Sequence, residues 1–293
     1  MLQTIVNGLA QGIPFALMAL GFALVYNTTK VFHIAVVGVW SFATYMYYWF
    51  SVEKHLSVFV SVAIAVVICM ALSILIDLVV YRPLYRKKAT ASVLMIASIG
   101  VLTIIDSIVL LVFGNNVLTP RHLDGLGPMI GSIDIQADQL RRFVIGLPII
   151  LVFLAFLRLS GWGSRFRAIS TDEILFASLG YNPMRVRNMA FVLSGGFAAL
   201  SSCLLVCGNL SVRSYTEGLD YFVLSLAAMV IGGTNRYEGC LMGGLFVGLV
   251  QEFSKVIWKD DDVSWLNLIV FGLAAMLLLL KRQGLVGYKQ RSV

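Results

Sequence analysis

Apolar residues run through this chain in long unbroken blocks separated by short polar segments, without the one-in-two alternation of a half-buried strand. A helix needs about 20 residues, each rising about 1.5 Å, to cross about 30 Å of hydrocarbon, and there every backbone group must bond within the protein. A membrane barrel would instead show alternating strands of about ten residues. The blocks predict nine helical spans: Leu2–Tyr26, Val31–Phe50, Leu56–Val80, Ala91–Phe113, Phe143–Leu157, Asn188–Cys207, Tyr221–Ile231, Gly239–Ile257 and Val263–Leu280. The seventh is too short to cross alone and either spans with help or is re-entrant. The first lacks a basic leading region and a small-residue cleavage site, so it is expected to be retained. Tyr45, Tyr47, Tyr48, Trp49 and Phe50 close the second span as an aromatic belt at the headgroups.

Composition narrows the class. Apolar residues make up 59% of the 293-residue chain and charged ones 13%, against roughly 45–50% and about 25% in a soluble domain. A soluble enzyme is excluded, and 26 glycines with 12% aromatic residues exclude disorder. The expected fold is all-α: a single polytopic transmembrane domain over 1–293 with about 8–9 membrane segments.

The net charge of +7 raises the question of nucleic acid. The basic residues, however, lie in short loops against apolar runs, as Arg82, Arg86, Lys87 and Lys88 do, which points to an anionic lipid leaflet instead. Fifteen of the 22 Lys and Arg residues fall on one side of the nine-span scheme, including Arg158–Arg187 and the tail from Lys281. The positive-inside rule makes that side cytoplasmic, with the C-terminus inside and the N-terminus outside. Residues 114–142 then form an extracytoplasmic loop and residues 165–187 a cytoplasmic one.

No catalytic, cofactor or metal site is expected. Cys69, Cys203, Cys207 and Cys240 lie in apolar segments without metal-ligand spacing, and Cys203 with Cys207 at i, i+4 has poor disulfide geometry. No phosphate-cradling loop, nucleophile elbow or HExxH sequence occurs.

Six features carry candidate chemistry. In RFRAISTDEILFASLGYNPMRVRN (Arg165–Asn188), Ser170 or Thr171 can cap a short helix with Asp172 and Glu173 in its first turn, stopped by Gly180 and Pro183. Its Ile174, Leu175, Phe176 and Leu179 can pack on a partner or rest against the membrane and the chain's own spans. Gly239/Gly243 and Gly244/Gly248 have the small-xxx-small spacing of close helix packing, while Gly232 and Gly233 can also break a helix beside a solute path. Asp106 stands mid-span, where an ionised carboxylate costs about 2.5–3.5 kcal/mol, so it faces a cavity, finds a donor or is protonated. Glu252, next to Gln251, poses the same question nearer a span end, where snorkelling is open to it. His33 reads as a packed histidine or a proton relay, and Asp77 as the partner of Arg82.

Five blocks, in order along nearly the whole chain, resemble the Liv-type permease family of ABC importers. They are NGLAQGIPFALMALGFALVYNTTKVFHIA (Asn7–Ala35), YRPLYRKK (Tyr81–Lys88), AISTDEILFASLGYNPMRVR (Ala168–Arg187), VIGGTNRYEGCLMGGLFVGLVQ (Val230–Gln251) and LLLLKRQGLVG (Leu277–Gly287). The resemblance implies a permease subunit of a bacterial inner-membrane importer for branched-chain amino acids, with close relatives that carry urea or short amides. It also implies a second homologous permease, two cytoplasmic ATPase subunits and an extracytoplasmic solute-binding protein as partners. Asp172 to Gly180 would then be the coupling helix that seats in the ATPase. The sequence departs from the family after His33-Ile34-Ala35, where Val36 and Val37 replace the usual His or Gln and Gly. From the residues alone, an autonomous ion-coupled transporter or channel using Asp106 and Glu252, or a membrane scaffold, remains open.

Overall fold

A computed structural model describes residues 1–114, 129–130, 133–134, 136–206, 216–234 and 236–258, with 270, 272 and 276. Apart from 270, 272 and 276, the predicted ninth span lies outside the described residues, as do the C-terminal tail, Cys207 and most of the 114–136 loop. Five of the described helices are long and apolar enough to cross a membrane: Leu2–Thr29, Val58–Arg86, Ala91–Phe113, Ala137–Leu159 and Pro183–Val206.

The elements in chain order are α1 (Leu2–Thr29), α2 (Val36–Tyr48), α3 (Val58–Ile76), α4 (Arg82–Arg86), α5 (Ala91–Phe113), α6 (Ala137–Arg141), α7 (Leu147–Leu159), α8 (Gly161–Thr171), α9 (Glu173–Ser178), α10 (Pro183–Val206), α11 (Thr216–Gly232) and α12 (Tyr237–Trp258). Three π-helical turns, Trp49–Glu53, Asp77–Tyr81 and Arg142–Gly146, follow α2, join α3 to α4 and join α6 to α7. Two-residue strands β1 (Met129–Ile130) and β2 (Ile133–Asp134) pair antiparallel.

Burial sorts the helices into centre and rim. The most apolar stretch of α1 is 89% buried and that of α10 is 78% buried, against 28% for α5. A helix apolar all round belongs at the core or in lipid, and α1 takes the core, against α10, α11 and α12. On the rim, α5 turns Leu94, Ser98, Val101, Leu102, Ile105 and Val109 inward and leaves Ile96, Ile104, Leu111 and Val112 outside.

Glycines set the approach of the central helices. In lipid no hydrophobic force pulls helices together, so backbone proximity and dispersion do. A Cβ on Gly12 would sit 2.6 Å from Leu245 Cα, and one on Gly244 would sit 2.7 Å from Ala16 Cα. Gly244 and Gly248 thus face α1, whereas Gly239 and Gly243 face Gly232 and Ala228 of α11. The small-residue spacing therefore closes two helix interfaces, one on each side of α12.

Several boundaries differ from the sequence expectation. Pro183, expected to stop the short cytoplasmic helix, is the first residue of α10, where its missing N–H costs nothing. The span beginning at Phe143 extends back to Ala137, because Arg142 is buried and its charge is met laterally by Asp138 at 3.4 Å and by Gln11. Cys69, Cys203 and Cys240 are buried.

Candidate functional site

One end of the bundle gathers the basic loops. Asn27 Nδ2 of α1 donates to the Thr234 carbonyl in the α11–α12 turn at 3.0 Å, and Arg158 at the end of α7 pairs with Glu238 of α12 at 2.9 Å. The Arg187 guanidinium of α10 lies 4.4 Å from the centre of the Tyr85 ring in α4. The same end carries Lys30, whose left-handed backbone (φ 57°) ends α1 and whose ammonium is held below its ordinary pKa by partial burial.

From this end projects the 161–181 unit. Asp172, rather than Ser170 or Thr171, is the cap: its Oδ1 accepts from Ile174 N at 2.8 Å and Leu175 N at 3.0 Å. Ser170 and Thr171 instead finish α8, and Thr171 Oγ1 donates back to the Arg167 carbonyl at 3.0 Å. The chain turns between the two helices because Asp172 is extended (φ −153°, ψ 110°), and Gly180 (φ +84°) closes the unit in a conformation a side chain would strain.

This short helix is anchored on one side and bare on the other. Phe176 is buried and stacks on Tyr181 at 5.2 Å. Glu173 Oε2 accepts from Arg187 Nη2 at 2.6 Å, and Arg187 is itself buried over Tyr85. Ile174, Leu175 and Leu179 are 83%, 57% and 66% exposed. An apolar knuckle therefore stands on a capped helix tied by an ion pair to the start of α10. Glu173 is marked by its place in the first turn of the helix, whereas Arg187 and Tyr85, 14 and 88 residues away, carry no local signal of their part in the anchor.

The candidate solute-path residues fall in separate places. His33 sits in the break between α1 and α2, with Nδ1 2.8 Å from Tyr81 Oη, which donates to Ser98 Oγ at 2.8 Å. Ser98 Oγ also accepts from Ala35 N at 2.8 Å, and Phe191 closes the cage. With its proton given to Ser98, Tyr81 accepts from His33, which assigns the proton to Nδ1. Asp106 is buried on α5, and its Oδ1 has no hydrogen-bond partner among the described residues. Glu252 pairs with Lys255 at 2.7 Å. Gly232 packs against Gly239, and Gly233 (φ +106°) makes the α11–α12 turn. Among the described residues, no hydrogen bond, ion pair or ring contact joins Asp106, His33 and Glu252.

Two further expectations are refined. Asp77 has no ion pair with Arg82; Asn188, its amide turned to donate, reaches Asp77 Oδ2 at 2.9 Å, with Arg187 and Arg82 contributing at longer range. Val36 and Val37 are both buried, and a Cβ on Gly218 would lie 3.3 Å from Val37 Cγ1, so Val37 packs α2 against α11.

A bundle of apolar helices joined by glycine contacts, with polar residues buried inside and a structured basic face, is the architecture of a membrane permease. The chain belongs to the family of permease components of branched-chain amino acid transport systems, which matches residues 4–280. It is similar to the high-affinity branched-chain amino acid transport system permease protein BraD of Pseudomonas aeruginosa, 24% identical over 98% of this chain and 95% of that protein. LivH of Escherichia coli K12, named for the same system, is 25% identical over 98% of this chain and 95% of that protein. LivM of the same organism is 27% identical over 42% of this chain and 28% of its own length. Among solved structures, PsaBC from Streptococcus pneumoniae in complex with Fab shares the fold, with a TM-score of 0.51 at 13% identity over 97% of this chain and 92% of that one.

Proposed function

We propose that this chain is one permease subunit of an ABC importer in the bacterial inner membrane. It crosses the membrane eight or nine times and presents the Arg82–Lys88 and Arg158–Arg187 face to the cytoplasm. The observation that carries this reading is the capped helix at Glu173–Ser178, whose Ile174, Leu175 and Leu179 project into solvent while Glu173 and Phe176 tie it to the bundle. Exposed apolar side chains on a rigid, polar-flanked platform suit insertion into a groove of a partner. In this reading the partner is a cytoplasmic ATPase, and Asp172 to Gly180 transmit its closure to α10 and α4.

Two such ATPases, a second permease and an extracytoplasmic binding protein complete the assembly. The similarity of this chain to both LivH and LivM supports pairing with a homologous permease. The binding protein docks on the side opposite the basic face, through the 114–142 and 208–220 segments. Branched-chain amino acids are the solute class favoured by the relatives' names, with urea or short amides as the alternative. The test is Glu173→Arg combined with Leu175→Asp: the membrane subunit stays folded and loses its ATPases in detergent, whereas normal association overturns the coupling role.

A second reading rests on Asp106, whose buried Oδ1 lacks a partner among the described residues. An ion-coupled transporter would use it as a carrier, and uptake would then persist without ATP and collapse with the ion gradient.

A further inference from the structure

The basic end holds a second feature that the coupling role does not use. Between α7, α8 and the start of α12 lies a cavity of ≈ 270 Å³, room for several waters at ~30 Å³ each. Among its described lining residues are three guanidinium groups, Arg158, Arg167 and Arg236, and one carboxylate, Glu238. Glu238 is held by Arg158 at 2.9 Å, and among the described residues Arg167 Nη1 reaches the Leu157 carbonyl alone, at 3.4 Å. These four described side chains together carry a formal charge of about +2, from ionised Arg and Glu at neutral pH.

Position adds a second constraint. Leu154 and Leu157 of α7 form the apolar floor. The outer face of the same helix exposes Leu151, Val152, Phe156 and Leu159, a surface that acyl chains cover in a bilayer. A polar group that enters the cavity from beside α7 thus has hydrocarbon below it and arginines around it. Planar guanidinium forks bind phosphate oxygens in pairs, and basic pockets between membrane helices on the cytoplasmic side suit anionic headgroups.

We propose that this cavity is a phosphate-binding site at the membrane surface. The phosphate comes from the headgroup of an anionic lipid or from free phosphate in the cytoplasm. Bound there, it cross-links α7, α8 and the α11–α12 turn, and so braces the platform from which the α9 helix projects. The cavity's chemistry does not depend on the transport reading.

The test uses the full chain purified in neutral detergent. Retention of phosphatidylglycerol and of phosphatidylcholine is measured by native mass spectrometry, and the melting temperature is followed with and without inorganic phosphate. Selective retention of phosphatidylglycerol assigns a lipid source, and a phosphate-dependent rise in melting temperature without lipid selectivity assigns a soluble one. Arg167→Gln with Arg236→Gln is expected to weaken the response on the order of tenfold or more. Arg165→Gln, a neighbouring cation stacked on Trp162 at 5.0 Å, is expected to leave it unchanged. Glu238→Gln removes the competing carboxylate and is expected to strengthen binding, a gain that misfolding cannot mimic. Equal effects of Arg165→Gln and the double variant, or no gain with Glu238→Gln, would overturn the proposal. So would loss of ATPase association with unchanged lipid and phosphate responses, which would assign the arginines to a protein contact.

Discussion

At the residue scale, the buried polar groups divide into those locked by partners and those held bare. His33, Tyr81, Ser98 and Ala35 N form a chain of 2.8 Å contacts that fixes the α1–α2 break against α3–α5. Removing the Tyr81 hydroxyl strands the buried His33 Nδ1–H and leaves Ser98 Oγ with Ala35 N alone. Tyr81→Phe is expected to destabilise the protein by about 1–3 kcal/mol, read as a lower melting temperature in detergent. The apolar pattern places His33 near the start of the second span but shows neither the helix break it occupies nor its partners, because Tyr81 and Ser98 are 48 and 65 residues away. Arg187 was hidden for the same reason, its role set by Glu173 and by the face of Tyr85. Arg187→Lys keeps the charge and loses the planar stack, so hydrogen exchange at 173–178 is expected to quicken while the rest of α10 stays protected. Unchanged exchange there would mean that Phe176 alone holds the helix down.

At the element scale, the apolar runs made the spans legible, and α5 has the predicted bounds Ala91–Phe113. What the runs could not show is where polar residues continue a helix. Asp138, Arg141 and Arg142 read as loop, yet they belong to α6 and its π turn, because a capping box at Gln136/Gln139 starts the helix and Arg142 pairs with Asp138 and donates to Gln11 of α1. The π turn at Asp77–Tyr81 was equally invisible, since no residue type marks it. Glycine spacing, by contrast, is a direct statement about packing distance. Gly12→Leu drives a side chain into the Leu245 backbone and is expected to cost more than the about 1–3 kcal/mol of ordinary overpacking, seen as failure to recover a monodisperse subunit. Gly100 has nothing within 4 Å of a would-be Cβ, so Gly100→Ala is expected to be neutral or to stabilise by about 0.5–1 kcal/mol, checked by melting temperature.

At the scale of the whole molecule, α1 and α10 form an apolar centre, α3, α5 and α7 a lipid-facing rim, and one end bears both the arginine-lined cavity and the exposed apolar knuckle. That division makes the basic face the working surface of the proposed importer: a rigid helix for the ATPase, with a charged cavity beside it. The measurement that tests this most directly is affinity purification of the chain from its native membrane in mild detergent, with mass spectrometry of what accompanies it. The account predicts two P-loop ATPases and a second permease, with the ATPases lost and the second permease kept when Leu175 is replaced by Asp together with Glu173→Arg. Recovery of the chain alone, under conditions that keep a known ABC importer intact, would contradict it.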